Sequence, residues 1–184
     1  MPRVGGCAMT HRVELLVRLK IPDVTALTAA NALRRRLGYG EVLADLKRAD
    51  HYLFTVEASS AEEAEALVRQ IAQKTTLFVN PNKHVFETRV VTGEDTVTER
   101  EGIYEVRCLV RDADFDPGEA MRQALGKLGF GDKITALQAG TLWILKLRAA
   151  SASQALEIAR DIAITKSRSR GLFANPHYQQ CLVY

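Results

Sequence analysis

"LFVNP" at Leu77–Pro81 and "LFANP" at Leu172–Pro176 spell one phrase twice within 184 residues. The repetition extends outward from that phrase. "LGYGEV" at Leu37–Val42 returns as "LGFGDK" at Leu128–Lys133, 91 positions later. At that shift residues 37–73 are identical to residues 128–164 at 11 of 37 positions, and many others are conservative, such as Tyr52 with Trp143. The Asn-Pro pairs lie 95 apart, so the second copy carries four extra residues, near "TKSRSRG" at 165–171. Agreement in order over such a length predicts an internal duplication.

The physical signals repeat along with the letters. Each copy opens on a strand-like alternation, Val13, Leu15, Val17 and Leu19 in the first and Tyr104, Val106, Cys108 and Val110 in the second. A helix follows, announced in the second copy by Asp116 as N-cap, Pro117 at the first helical position and Glu119 in the first turn. Its apolar face is expected at Ala30, Leu33 and Leu37, matched by Met121, Ala124 and Leu128, and Gly38 and Gly129 end it in a left-handed conformation. Two short strands are expected next, about 42–47 and 51–57, matched by 134–138 and 142–148 with an Ala139–Gly140 turn. Ser60 with Glu63, and Ser151 with Gln154, open a second amphipathic helix. A last strand follows each Asn-Pro, at 84–90 and 178–184. The fold class predicted is α+β, with two ferredoxin-like βαββαβ repeats packed as an intramolecular pseudo-dimer. Its divisions are a flexible leader (1–12), a first repeat (13–90), a linker (91–103) and a second repeat (104–184). The segment "VTGEDTVTEREG" at 91–102 holds four acids and one base without a helical apolar stripe, hence the linker reading.

Composition narrows the function classes. A formal charge of +3 is too small to argue for nucleic acid or a membrane surface, and no apolar run approaches the ~20 residues of a spanning helix. "MPRVGGCAMTHR" lacks the apolar core of a secretion signal. Cys7, Cys108 and Cys181 form no CxxC pair and no even framework, which suits a reduced cytoplasmic setting. "GYG" and "GFG" follow helices instead of preceding them, so phosphate-loop and dinucleotide readings fail. His11, His51, His84 and His177 show no metal-ligand spacing, and no catalytic cysteine arrangement is present. No active site, metal or cofactor of its own is expected for this chain.

Two groups remain as candidate contacts. Asn80, Pro81 and His84, with Asn175, Pro176 and His177, form the repeated corner. It reads either as turn chemistry, since the residue before proline leaves the α region, or as backbone presented to a partner. Both histidines follow the Asn-Pro pair closely, which suggests a shared contact. Lys166, Arg168 and Arg170 read either as a solvated loop or as a contact for a phosphate or an acidic partner patch. Arg34–Arg36 fan over about 200° of helix surface and cannot act as one clamp.

"DFDPGEAMRQALGKLGF" at 114–130, the Ala139–Gly140 pair and "LFANP" before a terminal strand resemble PurS, the small subunit of phosphoribosylformylglycinamidine synthase. The resemblance spans about 13–90 and 104–184. It implies a non-catalytic subunit of a glutamine- and ATP-dependent ligase of purine biosynthesis. Such a subunit joins the large synthetase subunit to the glutaminase subunit for ammonia transfer, with homo-oligomers also allowed. Two copies in one chain resemble a fused PurS dimer. The sequence departs from the family at "IPDVTA" in place of a DPxGxA start, and at "NKHV" and "HYQQ" after the Asn-Pro pairs. A tandem ferredoxin-like small-molecule sensor is the alternative. RNA binding is a third, weaker reading, because "HYLFTVE" and "LWILKLR" lack the RNP1 pattern.

Overall fold

The computed structural model describes residues 9–93, 96–164 and 171–184. Its elements run β1 (Met9–Leu19), α1 (Val24–Arg35), β2 (Leu43–Ala58), α2 (Ala61–Lys74), β3 (His84–Val90), β4 (Thr98–Arg100), β5 (Ile103–Asp112), α3 (Gly118–Lys127), a 3-10 turn (Gly131–Lys133), β6 (Ile134–Arg148), α4 (Ala152–Ala163) and β7 (Gln179–Val183). The chain is α+β. The strand order is β3-β1-β2-β6-β5-β4, with β7 also paired to β5. The two element series keep the 91-residue spacing: β2 and β6 begin at Leu43 and Ile134, and α2 and α4 at Ala61 and Ala152.

One expectation is corrected. Instead of two short strands in each half there is one long one, so each half runs strand, helix, long strand, helix, strand. A tight hairpin needs a residue at positive φ. Neither Ala49, Asp50, Ala139 nor Gly140 has one, so the chain continues straight. Gly140 is glycine for another reason: a Cβ there would lie 2.7 Å from the Val110 carbonyl oxygen on the neighbouring strand.

Contacts divide the chain into two compact units. The first takes Met1–Lys20, His51–Glu94 and Asp116–Ala139; the second takes Ile21–Asp50, Asp95–Phe115 and Gly140–Tyr184. The units and the halves of the sequence therefore divide the chain differently, and each unit contains a helix from the other half. In the first, Leu125 of α3 is fully buried with Ile134 and Leu137 against Val13, Leu15, Phe54, Val68 and Ile71. In the second, Ala26, Ala29, Ala30 and Leu33 of α1 pack with Val106, Trp143, Leu145, Ala159 and Ile162. Full burial of each large aliphatic side chain contributes about 1.5–3 kcal/mol. The expected α3 face shifts by one turn: Leu125 is buried, whereas Leu128 is 56 % exposed just before the helix-ending Gly129.

The helix starts follow local chemistry. Ser60 Oγ accepts from Glu63 N and Ser151 Oγ from Gln154 N, both at 3.2 Å. The Glu63 and Gln154 side chains reach back one residue beyond the cap, to Ser59 N (3.0 Å) and Ala150 N (2.7 Å). α3 starts one residue later than expected: Pro117, with helical angles φ −68 and ψ −7, takes the cap position without a side-chain bond, and Asp116 Oδ1 just before it accepts from Gly118 N at 2.8 Å.

Lys133 Nζ meets Glu63 Oε1 at 2.5 Å. That ammonium, with the Ser59 hydroxyl and amide, holds the Glu63 carboxyl down from the ordinary 4.5 to about 2. A depressed carboxylate stabilises the fold above the ordinary range and loses that contribution as pH falls through its folded value. The stability difference between wild type and Lys133→Ala should therefore be full at neutral pH and close between pH 4.5 and about 2. Urea titrations across that window measure it.

Part of the expected linker is structured. β4 pairs with β5 in a hairpin whose two loop residues, Glu101 and Gly102, both have positive φ, 54° and 75°. That is the type I′ turn, whose twist matches the flanking strands. Gly102→Val should lower stability by about 1–2 kcal/mol, because a β-branched residue is strained there. A thermal melt reports it.

Candidate functional site

The repeated phrase folds into the same corner twice. In the first unit the Asn80 side-chain oxygen accepts from Asn82 N at 3.0 Å, and its carbonyl accepts from His84 N at 2.8 Å. Asn80 N donates to His84 Nδ1 at 3.2 Å. In the second unit Asn175 Oδ1 accepts from His177 N at 3.1 Å, its carbonyl accepts from Gln179 N at 2.8 Å, and its amide donates to Gln179 Oε1 at 3.1 Å. Each carbonyl also accepts from the third residue on, Lys83 N and Tyr178 N, both at 3.0 Å, so the asparagine closes four hydrogen bonds within four residues, and proline holds the chain out of the helical region. The residue that seals the corner is the fourth after asparagine: His84 in one and Gln179 in the other. His177 is equivalent to Asn82, so the two histidines occupy different places.

An aromatic plug anchors each corner. Phe78 meets Tyr52 edge-on at 4.8 Å and Phe54 at 5.4 Å, while Phe173 stacks on Trp143 at 4.3 Å. Leu77 is partly buried beside the same core, and Leu172 remains 38 % exposed. A backbone bond ties the corner to the end of the neighbouring strand in both units. Lys20 N donates to Lys83 O at 2.9 Å, and Ala113 N to Tyr178 O at 2.8 Å. Pro81, Asn82, Pro176 and His177 are exposed.

The remaining candidates fare differently. Lys166, Arg168 and Arg170 lie outside the described residues. Arg34 is taken up internally, donating to the carbonyls of Leu43 (3.1 Å) and Ala44 (2.8 Å) at the start of β2, while Arg35 and Arg36 are exposed. Cys108 and Cys181 are free thiols on the core side of β5 and β7, one step apart diagonally. The Cys108 thiol donates to Cys181, which pushes Cys108 up, with burial adding to it, and holds Cys181 down. Among the described residues no group of three or more His, Cys, Asp or Glu could hold a metal ion, and no helix is long and apolar enough to cross a membrane.

Sequence reasoning missed one polar cluster. Glu14 on β1 and His51 on β2 are 2 % and 3 % exposed, with His51 Nε2 3.0 Å from Glu14 Oε1. Arg89 on β3 reaches Glu14 Oε2 from Nε at 3.0 Å and from the guanidinium end at 2.9 Å. The register sets Glu14 opposite Arg89 across β1 and β3. Glu14, interrupting the apolar run "VELLV", was the available signal.

These features define an α+β protein built from two matching series of elements, each with the same sealed corner before its last strand. Residues 11–92 match the PurS family model, described as phosphoribosylformylglycinamidine (FGAM) synthase. The matched segment holds β1 to β3, both intervening helices and the first corner, so the resemblance to PurS stands on the first half of the chain. No curated protein matches the chain.

Proposed function

We propose that this chain is a non-catalytic assembly subunit of phosphoribosylformylglycinamidine synthase in purine biosynthesis. It holds the ATP-using synthetase subunit and the glutaminase subunit together so that ammonia passes between them. The observation that carries this reading is the PurS match over 11–92. A second series of elements at the same spacing, with the same capping geometry at Ser60 and Ser151, supports it. We read the two series as products of gene doubling that act together as a covalent pseudo-dimer. The corners Asn80, Pro81, His84 and Asn175, Pro176, His177 are the partner contacts in this reading. Free Cys108 and Cys181 fit a cytoplasmic setting.

Deleting the gene, in a strain with no second source of the function, should impose a purine requirement that the intact gene relieves. The tagged chain should co-purify with both larger subunits. Growth without purine, together with failure to hold either subunit, would refute the assignment.

A further inference from the structure

The two corners share a backbone and differ in what they present. The position three residues after asparagine, whose carbonyl takes the strand-end amide, is Lys83 in the first corner and Tyr178 in the second. Around the first corner the added charge is positive: Lys20 and Lys83 are exposed, and Lys20 Nζ reaches the Pro81 carbonyl at 2.6 Å. Around the second corner the end of β5 and the loop after it bring Asp112, Asp114 and Phe115, all exposed. Phe115 and Tyr178 are each 66 % exposed. Tyr178 meets the His177 ring edge-on at 6.3 Å, and exposed aromatic rings supply much of the binding energy where a partner covers them. Asp112 accepts only a weak 3.2 Å bond from Gln179 Nε2, and among the described residues neither Asp112 nor Asp114 enters an ion pair.

We infer that the second corner, formed by Asp112, Asp114, Phe115, Pro176, His177 and Tyr178, is a docking surface for an arginine-bearing segment of a partner protein. Charge and ring chemistry select the occupant. A guanidinium stacks on a tyrosine or phenylalanine face while its edge meets a carboxylate, a combination that lysine or an apolar segment satisfies only in part. The corner is already sealed by its own hydrogen bonds, so little order is lost when a partner binds. The first corner, bearing lysines, does not offer this surface. The inference deepens the assembly role proposed above and assigns one corner to one kind of partner.

The first arm of the test uses the full labelled chain and an arginine-glycine repeat peptide, with lysine-glycine and glutamate-glycine peptides beside it. The arginine peptide should shift Phe115, Tyr178 and His177 resonances saturably and more tightly than the lysine peptide. The affinity should fall with salt and weaken about tenfold or more in Phe115→Ala/Tyr178→Ala. Shifts scattered over carboxylates elsewhere, or an affinity unchanged in that variant, would overturn the surface. Both residues are exposed, so an unchanged amide spectrum elsewhere certifies that the variant is folded. The second arm co-purifies wild type and variant with the two larger subunits. Loss of one subunit with retention of the other supports the surface, and retention of both overturns it while leaving the assembly role intact. If wild type holds neither subunit, the assembly role falls, and the peptide arm alone decides the surface.

Discussion

Arg89→Ala should lower the unfolding free energy by about 3 kcal/mol in urea titrations, whereas Arg18→Ala on the neighbouring strand β1 should lower it by less than about 1 kcal/mol. Both are strand residues paired with a glutamate across β1 and β3, Arg89 directly opposite Glu14 and Arg18 on the diagonal from Glu87. They differ in the carboxylate. Arg18 reaches Glu87 at 3.1 Å with both side chains substantially exposed, so water already solvates either charge when the other is removed. Glu14 has a side chain only 3 % exposed, and removing Arg89 strips a cation from a carboxylate that cannot turn to solvent. Arg89 itself is 41 % exposed, which places the effect toward the lower end of what breaking a buried pair costs. Equal small losses in both variants would show that Glu14 is compensated without Arg89.

Gly118→Ala should be comparably damaging, by about 3 kcal/mol, for a reason of space. A Cβ at Gly118 would stand 1.8 Å from the Leu137 carbonyl oxygen and 2.6 Å from its carbon, and both belong to the backbone of β6. Neither can swing aside as a side chain would. α3 would have to lift off the strand, and Leu125 would leave its fully buried place. Gly126, inside the same helix, is the control. Nothing lies within 4 Å of a Cβ there, so Gly126→Ala should be neutral or stabilising by up to about 1 kcal/mol. The melting temperature should fall in Gly118→Ala and should not fall in Gly126→Ala. A Gly118→Ala protein that melts with wild type would show that α3 is not seated against β6 as described.

Elements whose causes are local were legible before any coordinates. Ser60 and Ser151 cap their helices because a hydroxyl three residues before an acceptor-bearing side chain satisfies free amides nearby. Gly38 and Gly129 end helices at φ 81° and 83° because a left-handed turn excludes most side chains. The Asn-Pro corner is local too, since all four hydrogen bonds of each asparagine close within four residues. Its exchange of His84 for Gln179 was hidden only by the assumption that like residues fill like places.

The long strands were misread because Ala139–Gly140 suggests a turn by composition. The glycine answers instead to a carbonyl on β5, 30 positions earlier at Val110. The same holds for the Glu14–His51–Arg89 cluster, whose members lie 37 and 75 residues apart.

Sequence alone determined the α+β class, the paired series of elements, the caps and the corners, since each follows from residues a turn or two apart. Tertiary structure decided that α1 and α3 each join a core from the other half of the chain. It also decided that a buried carboxylate finds its arginine, and that one corner displays lysines while the other displays aromatics and carboxylates. Those outcomes depend on strand register and burial, which couple residues far apart in sequence, and such coupling leaves no periodic trace along the chain.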